Sequence, residues 1–402
     1  MRLAPTVPNL GRMYTVEWVI KASKLCNLRC RYCYVWNELG DPQRVSLDEW
    51  RRILIAVRSY QQRLESRLKE EVQSRIVWHG GEPLLLSDAY IASVLALEEE
   101  VFGPGALERA ELSNGIQTNL FALTSRKLDL LQGGRFRVGV SFDLVGGVRL
   151  DRHDRETESR VIANMERLAE VGVPFGAITV LAGHTRDHLP RIHDFFADLG
   201  VPLRILPVHS APLNVPGAPF ALSEQEAAEA LCRLFVYWLD AGCQIPVVPL
   251  SEYLQTVLLR MSGLTRPPWN RRSHGDSVFL VNTDGNLFIY EESDAFHPSR
   301  ALGNLFDQPI DEILESGRFR GSLDRSDARI AERCATCRFR GACDSRPLYQ
   351  QCDPVPPERR CGIAYFIQTF IEEHLRATGF DEKACVSMLD EIEPEKVFVS
   401  IT

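Results

Sequence analysis

Three cysteines, Cys26, Cys30 and Cys33, stand in the stretch SKLCNLRCRYCYVW that runs from Ser23 to Trp36. Thiolates bind soft metals, but a disulfide needs an even number of them and a tetrahedral zinc site usually takes four protein ligands, so three together leave a position open. An iron–sulfur cube held by three thiolates has one iron without a protein ligand, and that iron can take a small bidentate ligand. A partial zinc site, or buried thiols with no ligand role, is the plainer alternative. A second group, Cys334, Cys337, Cys343, Cys352 and Cys361, lies in CATCRFRGACDSRPLYQQCDPVPPERRC. The remaining Cys232, Cys243 and Cys385 sit in helical or apolar surroundings that suit small buried side chains. His184, His188 and His193 are spaced by four and five residues and suggest a metal, but no carboxylate completes that set.

These residues need a scaffold. Strand-like runs begin at Val16, Arg75, Glu111, Arg137, Phe175 and Arg204 and alternate with helical segments, which predicts six βα units and a parallel sheet covered on its outer side. Closed or partly closed as a barrel, such a sheet carries its chemistry at the C-terminal strand ends; a doubly wound sheet satisfies the same alternation. Cys26 follows the first strand, Gly80 and Gly81 the second, Asn119 the third, and Ser141 and Asp143 lie at the fourth. A capping box, Ser46 with Glu49, opens a helix that places Ile53, Leu54, Val57, Leu64 and Leu68 near one face. A second, Ser223 with Glu226, opens a helix through Leu231, Phe235, Trp238 and Leu239. VFLVNTDGNLFIY reads as a hairpin turning at Asp284–Gly285, and Ile363 to Leu375 as a terminal helix.

The bulk composition narrows the class. The chain has 402 residues, 45% hydrophobic and 25% charged, which suits two packed soluble units. A net charge of -8 leaves no dominant basic patch, so nucleic acid is not an expected partner. No apolar run approaches the roughly 20 residues that span a bilayer, and residues 1–12 lack the pattern of a signal peptide. The expectation is a cytoplasmic protein with no membrane partner, whose clustered thiols are ligands rather than disulfides.

CNLRCRYC resembles the cysteine motif of the radical S-adenosylmethionine (SAM) superfamily, and HGGEPLL, QTN and VGVSFD stand where that superfamily binds its cofactor. The resemblance covers roughly Val16 to Ser210 and implies an α/β fold with a partial (β/α)6 TIM-type barrel. It implies that Cys26, Cys30 and Cys33 hold a [4Fe-4S] cluster whose open iron is chelated by the methionine part of SAM. It implies cofactor contacts from Tyr32 against the adenine, from the segment Gly80, Gly81, Glu82 and Pro83, from Asn119, and from Ser141 and Asp143. Bare Gly80 and Gly81 let backbone approach a ligand, while Glu82 and Pro83 fix the following turn. An arginine after the fourth strand would meet the cofactor carboxylate; VRLDRHDRETESR offers Arg149, Arg152 and Arg155, with Arg152 and Arg155 taken as the candidates. The cluster and cofactor would generate a 5'-deoxyadenosyl radical that removes hydrogen from an unactivated carbon.

The second cysteine group resembles the SPASM extension of peptide-modifying radical SAM enzymes. By that resemblance Cys334, Cys337, Cys343 and Cys361 hold one auxiliary [4Fe-4S] cluster, with Cys352 spare; a four-thiolate zinc site fits the same spacing. Two-cluster members carry a cysteine just after the hairpin, where this chain reads Tyr290, Glu291 and Glu292. Glu291, Glu292, Asp294 and His297 are therefore candidate proton acceptors, with a solvated acidic turn as the alternative. The implied organisation is a barrel over 13–222, a bridging helical segment over 223–272, the SPASM-like domain over 273–362 and a helical tail over 363–402. Fewer than twenty residues precede the first strand, so substrate recognition is expected at the barrel mouth, the extension or another chain.

A one-cluster extension resembles maturases that cross-link ribosomally made peptides, acting on a precursor peptide with a flavodoxin or ferredoxin-type reductant. The expected reaction is a cyclophane-type side-chain cross-link. Alternatives are oxidation of a sulfatase serine or cysteine to formylglycine, thioether formation or epimerisation in a peptide, and a non-catalytic iron–sulfur scaffold.

Overall fold

The computed structural model describes residues 14–208, 220–266, 270–289, 298–345 and 360–391. Strands β1 (Tyr14–Ser23), β3 (Val72–Gly80), β4 (Leu112–Thr118), β5 (Phe136–Ser141), β7 (Phe175–Leu181) and β8 (Leu203–Pro207) coincide with the six runs read from the sequence. They pair in parallel in that order and form a partial barrel. Two short strands, β2 (Leu28–Cys30) and β6 (Arg149–Asp151), make a separate antiparallel ladder over the barrel mouth.

The sheet is larger than six strands. From the segment expected to be helical, β9 (Val247–Val248) pairs in parallel with β8. The expected hairpin exists as β10 (Val278–Val281) and β11 (Asn286–Ile289), with Gly285 in the left-handed region at φ 83° as the Asp-Gly turn demands. Its first strand pairs in parallel with β1, and β12 (Gly303–Asn304) joins beyond β11. Among the described residues ten strands thus form one sheet, and the hairpin of the extension is part of it. Trp18 of β1 stacks on Phe279 of β10 with ring centres 4.5 Å apart, which seals that junction.

The helices cover the outer side. Helix α1 (Leu47–Leu68) begins with the Ser46–Glu49 capping box and buries Trp50, Ile53, Leu54, Val57, Tyr60 and Leu64, the i, i+3, i+4, i+7 stripe of a helix packed on a sheet. Each fully buried aliphatic side chain of this stripe contributes about 1.5–3 kcal/mol. Helices α2 (Asp88–Phe102), α3 (Ser125–Gln132), α4 (Glu158–Glu170) and α5 (Leu189–Asp198) alternate with the strands, and α6 (Glu224–Asp240) starts at the Ser223–Glu226 capping box. The terminal helix runs Ile363–Ala377 and is followed by another, Glu382–Glu391. Among the described residues no helix is long and apolar enough to cross a membrane.

Candidate functional site

Cys26, Cys30 and Cys33 lie on the loop from β1 through β2. Leu28 and Leu39 pack around Cys26, with Val35, Trp36 and Phe121 beside them, so an apolar sheath surrounds the thiols. Burial pushes Cys26 up to about 12 and Cys30 up to about 11; these sulfurs stay protonated unless a cation pairs with them. The loop is pinned to the second strand end. Gly81 N–H donates to Ser23 O at 2.7 Å and Glu82 N–H to Leu25 O at 2.9 Å. A Cβ at Gly80 would stand 2.2 Å from Ser23 O and one at Gly81 2.2 Å from Leu25 O. The backbone that approaches this Gly-Gly pair is the cysteine loop itself, and not only a ligand as the sequence suggested.

Glu82 is buried and caps the turn that begins at Pro83. Its Oε1 accepts from Leu84 N at 2.8 Å and Thr118 Oγ1 at 2.7 Å, and its Oε2 accepts from Asn119 N at 2.7 Å. Asn119 in turn donates from Nδ2 to Asn27 Oδ1 at 2.9 Å, with Cys26 Sγ at 3.8 Å. Ser141 Oγ accepts from Gln117 Nε2 at 2.7 Å, while Gln117 Oε1 is buried without a partner. Gln117 was not singled out in the sequence, although it stands in QTN two residues before Asn119.

The three candidate arginines lie in different surroundings. Arg155 is exposed and paired with Asp151, Nη2 to Oδ2 2.7 Å, and Arg152 is exposed. Arg149 is the one carried into the site. The β2–β6 ladder sets Arg149 opposite Cys30, and its Nη1 lies 3.9 Å from Cys30 Sγ. Its Nε donates to Asp143 Oδ2 at 2.8 Å, and its guanidinium lies 5.5 Å from the Tyr32 ring centre. Tyr32 also donates to Asp143 Oδ2, and Val180 N donates to Asp143 Oδ1 at 2.9 Å. Buried Asp143 thus holds Tyr32 and Arg149 through Oδ2 and the end of β7 through Oδ1. Burial pushes the Tyr32 phenol well up, which keeps it a donor.

The second cysteine group also converges. Cys334 ends the helix Gly317–Cys334, Cys337 and Cys343 follow on a tight loop, and Cys361 precedes the helix Ile363–Ala377. Burial, then the neighbouring thiols of Cys343, Cys337 and Cys334, pushes Cys361 up. Arg360 Nη1 donates to Arg333 O at 2.8 Å and Arg333 Nη1 to Arg360 O at 3.1 Å, tying the two arms together. Buried Glu372 gathers Arg260 at 3.0 Å, Arg338 at 2.9 Å and Arg376 at 2.9 Å behind the loop. Among the described residues no three or more His, Cys, Asp or Glu side chains converge on a single metal ion; thiols that hold a cube sit at its corners instead. Cys352, Glu291, Glu292, Asp294 and His297 lie outside the described residues.

The histidines do not form a metal site. His193 is buried in α5 beside Tyr237 with Nδ1 3.1 Å from Asp194, and His188 is exposed. Cys232 and Cys385 are buried, as their surroundings predicted.

The radical SAM superfamily signature matches residues 20–196, the span holding every element of the first site. The chain carries a radical SAM domain. Its cofactors are accordingly SAM and a [4Fe-4S] cluster, and the site suits them: Leu28 N, Asn119 Nδ2 and Arg149 Nη1 face the cysteine sulfurs at 3.4, 3.8 and 3.9 Å, the donors that thiolates require. The chain is 24% identical to a serine-type anaerobic sulfatase-maturating enzyme of Klebsiella aerogenes, over 88% of this chain and 78% of that one. It is 22% identical to a cysteine-type enzyme of Clostridium perfringens, over 87% and 93%. The fold matches native anSMEcpe with bound AdoMet and Cp18Cys peptide at a TM-score of 0.67 and 18% identity, covering 94% of this chain and all of that one. It matches Streptococcus suis SuiB bound to precursor peptide SuiA at 0.54 and 15%, covering 77% and 66%.

Proposed function

We propose that this radical SAM enzyme modifies a peptide, removing two hydrogens from its side chains to form a cross-link of the cyclophane type. The observation that carries the reading is the cysteine inventory. Between Cys243 and Cys334 the sequence has no cysteine, so the second group has thiols for one auxiliary four-iron cluster, on Cys334, Cys337, Cys343 and Cys361. Iron and sulfide analysis separates that cluster from a zinc site.

When bound, the cluster and SAM supply a carbon-centred radical that takes a hydrogen atom from the substrate. The chain's own residues position and shield. Glu82 fixes the turn beside the cysteine loop, Asp143 aims Arg149 toward Cys30, and Arg149 offers its guanidinium to the cofactor carboxylate. Leu28, Leu39 and Phe121 keep water from the thiols. Glu291, Glu292 and Asp294 are the proposed acceptors of the second hydrogen's proton, the auxiliary cluster on Cys334, Cys337, Cys343 and Cys361 would take its electron, and a flavodoxin or ferredoxin is the proposed electron donor to the first cluster.

A second reading has its own support: the sulfatase-maturating relatives match over 87–88% of this chain, which favours oxidation of a serine or cysteine to formylglycine. Anaerobic co-expression with a short reading frame beside the gene, followed by tandem mass spectrometry, decides between them. Loss of two hydrogens with a segment silent to fragmentation supports the cross-link. A hydrazide-reactive aldehyde at one serine or cysteine supports formylglycine, and an unmodified peptide beside intact cofactor cleavage contradicts the peptide substrate.

A further inference from the structure

A second cation besides Arg149 is buried at the cysteine loop. Along β1 the alternation puts Val16, Trp18, Ile20 and Ala22 in the core, with Trp18 against Tyr60 of α1, so Lys21 belongs to the inner face of the sheet. It is 7% exposed, and its Nζ lies 5.2 Å from the ring centre of Tyr34, the residue after Cys33. The hairpin turn closes over the same strand end, where Thr283 Oγ1 donates to Lys21 O at 2.8 Å. Burial lowers the Lys21 pKa to about 8; Glu38, Cys33 and Asp284 oppose a further fall, and Lys24 adds to it. The ammonium is therefore charged at pH 7. Its field reaches its neighbours across the barrel mouth. His79, opposite it in the β1–β3 register, is pushed down to about 4 by burial and then by Lys21. Cys33 is pushed up by burial, and Val35 N–H, Arg149, Lys21 and Arg29 pull against that rise.

A four-iron cube held by three thiolates is an anion, and reduction adds one more negative charge, so its potential follows the charges around it. A unit positive charge within roughly 10 Å, at an effective permittivity of about 20, favours the reduced form by about tenfold or more. Arg149 is beside Cys30, but Asp143 matches its charge in an ion pair at 2.8 Å. Lys24 lies against Asp41 at 3.3 Å and Glu38 at 3.7 Å, on a part of the loop that water reaches. Asp284 uses both carboxylate oxygens on Asn286, accepting from its N at 3.2 Å and its Nδ2 at 2.9 Å. We propose that Lys21 is a buried counter-charge that eases one-electron reduction of the cluster on Cys26, Cys30 and Cys33 by a flavodoxin- or ferredoxin-type donor. The electron enters the cube with no bond formed or broken, and Lys21 keeps its protons throughout. This rests on the radical SAM domain and holds whichever peptide product is formed.

The test is a mediated redox titration of the anaerobically reconstituted protein, followed by electron paramagnetic resonance. The first cluster's signal is recognised by its change when SAM is added to a separate sample, and the auxiliary cluster's signal serves as the internal reference. Lys21→Met keeps an unbranched apolar stem and removes the charge, and Lys21→Arg keeps the charge. In Lys21→Met, reduction of the first cluster should become about tenfold less favourable, a midpoint about 60 mV lower, with the auxiliary midpoint unchanged. Lys21→Arg should stay within about twofold of wild type. An unchanged first midpoint in folded, iron-replete Lys21→Met overturns the proposal. So does an equal shift at both clusters, because the substitution then acts on the fold and not through a local charge. Should Lys21→Met not fold, Lys21→Gln is compared with Lys21→Arg, and equal first midpoints in that pair overturn it.

Discussion

Around Cys26, Cys30 and Cys33 the polar neighbours are side chains sent from other strands: Asn119 beyond β4, Asp143 beyond β5, Arg149 on β6. Around Cys334, Cys337, Cys343 and Cys361 the bonds are mostly main-chain bonds within the same loop, such as Cys343 N to Phe339 O at 2.8 Å, braced from behind by arginines and Glu372. The first arrangement gathers donors from across the barrel mouth around three thiols. The second lies between the helices Gly317–Cys334 and Ile363–Ala377, with Cys337 and Cys343 on the loop and Cys361 before the second helix. The contrast is one of construction, side chains gathered from several strands against a loop closed on its own backbone, and it can be broken experimentally at each end.

The largest difference is expected at Arg149. Arg149→Met removes a charge-assisted contact worth about 1.5–3 kcal/mol, so the apparent cofactor affinity should fall by about 10- to 100-fold in steady-state assays. Arg152→Ala and Arg155→Ala, both exposed, should stay within about twofold. If all three variants behave alike, the distinction drawn by the β2–β6 ladder is wrong. At the second region, Glu372→Gln leaves three arginines short of their carboxylate. It should lower Tm by several degrees and reduce iron retention by the second group, with cofactor cleavage close to wild type. Equal loss of cofactor cleavage would mean that the two regions are not separable.

The smallest effect should come from a buried acid remote from both cysteine groups. Glu98 accepts from Asn114 Nδ2 at 2.8 Å, and burial pushes it up to about 8. The unfolded chain loses this proton near pH 4.5 while the folded protein keeps it until about 8, so stability is fully present below about 4.5 and declines as pH rises through that window. Glu98→Gln should flatten the fall of Tm between pH 5 and 8 by a few degrees and leave activity unchanged. A wild-type Tm with no such fall, or a variant with the same slope, would contradict the assignment.

The six barrel strands, both capping boxes and the Asp284–Gly285 turn were legible because each follows from residues close in sequence. Arg149 could not be chosen over Arg152 and Arg155, because a three-residue strand has no periodicity and only pairing with Leu28–Cys30 brings Arg149 to the cysteine. The parallel pairing of the hairpin with β1 is likewise a contact between segments about 260 residues apart. Gln117 enters the site only through the tertiary contact of its Nε2 with Ser141 Oγ. The even spacing of His184, His188 and His193 is not turned into a shared site, because His193 is buried against Tyr237, His188 is exposed and His184 lies beside Tyr32.

The central claim is that the three-thiol loop, completed by strand-end side chains, is the cofactor-cleaving centre. The direct measurement is release of 5'-deoxyadenosine from SAM by the anaerobically reconstituted, reduced protein, compared with Cys30→Ala loaded in the same way. Wild type should release it, and folded Cys30→Ala should fall by a factor of ~100 or more, because two thiolates no longer hold the cluster. Release by Cys30→Ala at the wild-type rate, or none from iron-loaded wild type, would contradict the account.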